Sequence, residues 1–157
     1  MGKFFNKVYK KYRKEEIIKS CIRLRKIKIN YIMDNITSTC WNYGLYYEII
    51  MKTSNVLIIR VKGKKNEKLI QYDKNRIVFM NNFNRFLNYM NTFNIKRGTY
   101  IYMGIFNMTV VKLKDKYYRE IDLVDKYEFI KEQLGLNRRA EDIIKEHKLS
   151  FIKYLPE

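Results

Sequence analysis

The sequence predicts an α+β fold: a single domain with a basic helical arm at its N-terminus. Three observations lead there. Apolar residues recur at helical spacing near the start, in the middle and towards the end of the chain. Runs of β-branched and aromatic residues lie between them, and no Gly-, Ser- or Pro-rich linker or internal repeat divides the 157 residues. At 46% hydrophobic and 15% aromatic, the chain has enough apolar side chain to build a core, which excludes a disordered basic tail.

The first element is a helix from about Lys3 to Ile22. Phe5, Tyr9 and Tyr12 form one stripe, while Lys3, Lys7, Lys10 and Lys14 form a second at the same spacing. With the segment after it, this helix makes an arm over residues 1–35, and residues 36–157 make the domain. Lys26-Ile27-Lys28-Ile29-Asn30-Tyr31 alternates polar and apolar, the period of a half-buried strand. Asp34-Asn35 and Thr37-Ser38 then suggest a turn. Leu45–Lys52 and Val56–Lys62 read as a hairpin around Thr53-Ser54-Asn55, with a basic turn at Gly63–Glu67. Leu69–Tyr72 and Ile77–Met80 read as one strand interrupted at Asp73-Lys74-Asn75.

Asn81 or Asn82 opens the next helix, whose Phe83, Phe86, Leu87, Met90 and Phe93 share one face; Lys96-Arg97-Gly98 ends it. Tyr100–Lys112 and Tyr117–Val124 are expected as a long β-hairpin with a charged tip between them. Asp125 caps a helix through Leu134 that Gly135 ends. Asn137 opens another to about His147, before a final apolar stretch at Leu149–Leu155.

Charge points to a partner. Lys and Arg number 33 against 16 Asp and Glu, a formal net charge of +17. Coding bias explains part of it: Phe, Tyr, Met, Ile, Asn and Lys make up 89 of the 157 residues, the mark of a very AT-rich genome such as that of an organelle, a virus or a parasite. Bias alone does not explain the distribution. Residues 1–112 hold 23 basic and 6 acidic side chains, whereas residues 113–157 hold 10 of each. A basic surface of this kind calls for a polyanion, and nucleic acid is the commonest one.

Other classes are set aside. No uncharged apolar stretch approaches the length of a transmembrane helix, so no membrane partner is expected. Met1-Gly2-Lys3-Phe4-Phe5-Asn6 lacks a signal-peptide core and a myristoylation motif, and Glu15-Glu16 argues against a mitochondrial targeting peptide. Cys21 and Cys40 supply neither a disulfide framework nor metal-ligand spacing. His147 is the single histidine, and no Gly-rich phosphate loop exists. Ile58-Ile59-Arg60-Val61-Lys62 has the strand-then-lysine shape of one nuclease core, but Arg60 stands where a metal-binding acid would be needed. Glu48, Glu67 and Asp73 are the acids of the middle region. The expectation is therefore no catalytic residues, no metal, no cofactor and no small-molecule substrate.

Binding chemistry remains. Aromatic and basic residues interleave in Tyr9–Lys14 and in Lys116-Tyr117-Tyr118-Arg119, a pattern suited to phosphate contacts beside base stacking. Lys112, Lys114 and Lys116 alternate at the expected hairpin tip, with Arg119 close by. The candidate nucleic-acid contacts are Lys3, Lys7, Lys10, Lys14, Lys112, Lys114, Lys116 and Arg119.

From Val56 to Leu155 the order of features resembles a divergent, mitochondrial-type member of the small-subunit ribosomal protein S-ten family. Val56–Lys62 would be its first strand, Phe83–Phe93 its first helix, and Gly98 the glycine leading into its hairpin. Thr109-Val110-Val111-Lys112 and Arg119-Glu120-Ile121 resemble the two hairpin motifs; Arg139–His147 and Leu149–Tyr154 match the later helix and closing strand. Leu113-Lys114-Asp115 stands where the family has Ser-Pro-His. The resemblance implies a ferredoxin-like core with a long β-hairpin, and ribosomal RNA and neighbouring ribosomal proteins as partners in a mitochondrial small subunit. The alternative is a viral or mobile-element DNA-binding protein, in one form a metal-dependent nuclease.

Overall fold

The computed structural model describes residues 3, 7–8, 11, 14–106, 109, 112, 120–134 and 149–157. These build a three-layer α+β arrangement around a five-stranded mixed sheet.

Helix α1 (Lys14–Lys26) buries Ile17, Ser20 and Leu24, and Ser20 satisfies its hydroxyl by donating to the Glu16 carbonyl. Helix α2 (Ile29–Asn42) buries Ile29, Ile32, Ile36 and Cys40, a helical period that starts inside the stretch expected as a strand. The alternation over residues 26–31 spans the junction between two helices, so a short window mistook the junction for a pleat. The turn expected at residues 34–38 is helix interior, where Asn35 and Thr39 bond back to the carbonyls of Tyr31 and Asn35. The boundary expected at residue 35 falls inside α2. Ile17, Leu24, Ile27 and Ile32 share one buried cluster with the sheet residues Leu57, Ile59 and Tyr72, so residues 14–35 belong to the body rather than to a separate arm.

Strands β1 (Tyr46–Lys52), β2 (Val56–Lys62) and β3 (Glu67–Asp73) form an antiparallel meander, as the two turn signals predict. Thr53 makes the first turn, accepting at its hydroxyl from the backbone N–H of Asn55 and of Val56. The register of β1 on β2 shifts between Ile49 and Met51, a bulge in the outermost strand. Strand β4 (Ile77–Val78) leaves the main sheet and pairs in parallel with β6 (Ile105–Phe106).

Helix α3 (Met80–Thr92) buries Phe83, Phe86, Leu87 and Met90, the face read from the sequence. Phe79 is its N-cap residue, and Asn82 accepts from the Phe79 N–H through its side chain. Asn94 ends the helix at φ 52°, while Gly98 lies within β5 (Arg97–Tyr102). A Cβ on Gly98 would come within 2.7 Å of Phe86 Cζ and 2.9 Å of Met90 Sδ, so the absent side chain lets α3 seat on the sheet.

Strand β7 (Ile121–Asp125) pairs with β5 in parallel, Gly98 opposite Ile121 and Tyr102 opposite Asp125. This corrects the long β-hairpin: two parallel strands are not the arms of one hairpin. β5 also runs parallel to β3, giving the sheet order β1-β2-β3-β5-β7. Asp125 accepts from the Glu128 N–H and caps α4 (Lys126–Leu134), as expected. The predicted helix 137–147 lies outside the described residues. The expected closing strand at Leu149–Tyr154 is instead irregular chain with a 3-10 turn at Ile152–Tyr154. The side chain of Gln133 docks it, donating to the Ser150 carbonyl and accepting from its N–H, and Phe151 packs on Phe129 with ring centres 5.4 Å apart.

Alternation along the strands sorts side chains into two cores. Leu57, Ile59, Ile70, Tyr72, Ile101 and Val124 pack against α1, α2, α4 and the C-terminal segment. Ile58, Leu69, Tyr100 and Ile121 pack against α3. The second core contains a polar chain. Gln71 donates to the Tyr100 hydroxyl at 2.9 Å, and that hydroxyl donates to Asp73 Oδ2 at 2.7 Å. Asp73 Oδ1 accepts from the Asn75 N–H at 2.8 Å, so both oxygens of this fully buried carboxyl are engaged. Burial, and then Asp73, push the Tyr100 phenol far above the usual tyrosine range.

Three stability outcomes follow from this packing. Asp73→Ala removes the acceptor of a buried hydroxyl and is expected to cost about 3 kcal/mol, or roughly 6–12 °C in Tm by calorimetry. Gly104→Ala drives a methyl into the carbonyl oxygens of Asn75 and Arg76, backbone that cannot swing aside; about 2–3 kcal/mol is expected by urea titration. Burial raises the Cys40 thiol to about 11 and also raises the half-buried Cys21. Mass mapping of thiol alkylation at pH 8 should find Cys21 modified first and Cys40 only on unfolding.

Candidate nucleic-acid interface

Within residues 14–106 there are 17 basic side chains against 6 acidic ones. What happens to the six acids decides whether the surface is positive. Asp73 is buried within the α3 core. Glu48 and Glu67 flank Arg60 from the two neighbouring strands: Arg60 Nε donates to Glu67 Oε1, and Arg60 Nη1 lies 3.7 Å from Glu48 Oε2. The Arg60 guanidinium also sits 4.8 Å from the centre of the Phe93 ring. Three of the six acids are therefore occupied internally or by one arginine. By contrast twelve of the 17 basic residues are exposed, among them Lys14, Lys19, Lys28, Lys62, Lys64 and Lys65. The positive balance written in the sequence is carried to the surface.

The predicted contacts divide. Lys3, Lys7 and Lys14 stand on helical backbone and are exposed. Lys10 and the aromatic stripe Phe5, Tyr9 and Tyr12 lie outside the described residues. Lys112 is exposed on helical backbone rather than at the end of a strand. Lys114, Lys116 and Arg119 lie outside the described residues. The structure does not bring the N-terminal lysines together with Lys112 in any described contact.

Sequence reasoning missed a second feature. Trp41 is 82% exposed in the last turn of α2, Tyr43 is 64% exposed, and Tyr46 is 81% exposed at the start of β1. Gly44, at φ 66°, turns the chain between them, and Leu45 anchors the turn through its N–H on the Cys40 carbonyl. Tyr46 stands opposite Lys62 in the β1–β2 ladder. Both line a cleft of about 220 Å³ together with Tyr47, Glu48, Arg60 and Glu67. The available signal was an aromatic cluster, Trp41-Asn42-Tyr43-Gly44-Leu45-Tyr46-Tyr47, at a helix-to-strand turn. Aromatic runs ordinarily mean core, so composition alone does not mark these rings as exposed.

Of the three acids named as possible metal ligands, Glu48 and Glu67 meet at the Arg60 guanidinium and Asp73 stands apart. Asp73 is sealed under α3, and the other two hold a guanidinium; among the described residues no three His, Cys, Asp or Glu side chains gather as a metal site would need. Nor is any described helix long and apolar enough to cross a membrane.

Comparison with known proteins adds little to this picture. No family model matches the chain, and no curated protein matches it. Among solved structures, the MspJI restriction endonuclease in complex with a 27-mer oligonucleotide aligns over 92% of this chain, at 10% identity and a TM-score of 0.39. The chain spans about a third of the length of that one, covering 34% of it.

Proposed function

We propose that this protein is a non-enzymatic nucleic-acid-binding protein that holds the phosphate backbone through its exposed lysines and arginines. The observation that carries the reading is the excess of exposed base within residues 14–106: twelve exposed lysines and arginines stand against six acids, of which one is buried and two flank Arg60. An ammonium surface of this kind attracts any nucleic acid and releases counterions on contact.

Ribosomal RNA, with neighbouring small-subunit proteins in a mitochondrial ribosome, is the first partner to test, although the hairpin that suggested it is replaced by parallel strands. Co-sedimentation with small subunits and release by high salt would support that form of the reading. The alternative, a metal-dependent nuclease, needs carboxylates free to take a divalent ion, whereas Glu48 and Glu67 share Arg60. Magnesium-dependent cleavage of duplex DNA that is lost in Glu48→Ala would overturn the non-enzymatic reading.

The full chain should bind mixed-sequence RNA or DNA with a Kd that rises steeply with salt. Replacing Lys62, Lys64 and Lys65 together by Ala should lower the slope of log K against log salt by about 2 on a single strand, if each holds one phosphate. Fluorescence anisotropy at four or five salt concentrations measures this. A slope unchanged by the triple replacement would remove this edge of the sheet from the interface.

A further inference from the structure

The exposed rings at the α2–β1 turn are unexplained by folding. Trp41, Tyr43 and Tyr46 each leave more than half of their surface in water, within six residues of chain. Leaving large aromatic surface hydrated forfeits burial energy, so a cluster of it marks a contact surface. Its surroundings select the occupant. Lys62 faces Tyr46 across the ladder, and Lys64 and Lys65 follow at once in the β2–β3 turn, all three exposed. Glu48 and Glu67 in the same cleft flank Arg60, so Lys62, Lys64 and Lys65 set the sign of charge that an incoming partner meets. A polyanion with flat faces meets both requirements.

Resting on the nucleic-acid reading above, we infer that this edge binds single-stranded nucleic acid, with unpaired bases stacking on Trp41, Tyr43 and Tyr46 and the adjoining phosphates on Lys62, Lys64 and Lys65. A duplex keeps its base faces stacked on one another and offers phosphates and groove edges, whereas an unpaired strand also offers its base faces. The interface needs no base-specific hydrogen bond, so it tolerates sequence. The shared ligand chemistry is an unpaired, flexible polynucleotide, in DNA or RNA.

Trp41 is the single tryptophan of the chain and reports on its own site. The full-length protein is titrated with oligothymidylate, with oligouridylate and with a duplex of equal length, while Trp41 emission and the anisotropy of a labelled strand are followed. Single strands are expected to quench Trp41 saturably, and the duplex to bind without quenching. Tyr46→Ala should weaken the single strand roughly tenfold and leave the duplex unchanged, with Tyr46→Phe restoring affinity and circular dichroism showing all variants folded. Quenching by both oligonucleotides, or by one alone, supports the inference and names the strand chemistry. Equal affinity for single strand and duplex with Trp41 unquenched overturns it while leaving the basic-surface reading intact. A blue-shifted Trp41 in a dimer seen by sedimentation equilibrium also overturns it, in favour of a second copy. Absence of binding to every oligonucleotide at low salt refutes the nucleic-acid reading itself.

Discussion

The fold depends on one strand. β3 is antiparallel to β2 on one side and parallel to β5 on the other, so it is where a local meander joins a crossover architecture. Both its faces are covered, with Ile70 and Tyr72 in one core and Leu69 in the other. A strand in that position is ordinarily apolar throughout. Here Gln71 and Asp73 point into the α3 core, where Tyr100, from the parallel neighbour, supplies a hydroxyl between them. One hydrogen-bonded chain thus fixes the register of two strands that no turn connects. It also sets the height at which α3 crosses, because Gly98, two residues from Tyr100 on the same face, receives Phe86 and Met90.

Local information in the sequence is reliable where the partner of a residue lies a few positions away. The apolar face of α3, the β1–β2 hairpin with its Thr53 turn and the Asp125 cap of α4 are all short-range arrangements, and each is visible as spacing. The parallel pairing of β5 with β7 is different. Tyr100 and Leu123 are neighbours in the sheet across a long intervening segment, and their own residues read equally well as an antiparallel hairpin. Periodicity identifies a strand but carries no direction of pairing. Residues 26–31 failed for another reason: two helices meet there, and Ile27 and Ile29, buried on either side of the junction, imitate an alternating pattern.

The candidate surface was legible in part. Its sign was visible in the count of charges, because a basic excess cannot be hidden in a core. What could not be read was the fate of the acids. Arg60 next to Glu48 and Glu67 is a product of β-sheet register, and Asp73 under α3 is a product of the crossover. The aromatic turn was missed for the converse reason. Burial belongs to the folded chain, and tyrosines at positions 46 and 72 have the same chemistry but opposite fates, one 81% exposed and the other 1%.

The bulge in β1 bears on how this chain behaves at high concentration. An outermost strand with exposed rings is a template onto which another strand can add, the first step towards insoluble fibres. The register shift at Ile49–Met51 breaks the flat row of backbone donors and acceptors that such growth requires, and Lys52 places a charge at its end. The edge can therefore keep sticky side chains in water without offering a continuous backbone ladder to copies of itself. The exposed rings and the bulge that interrupts the ladder lie within seven residues of one strand.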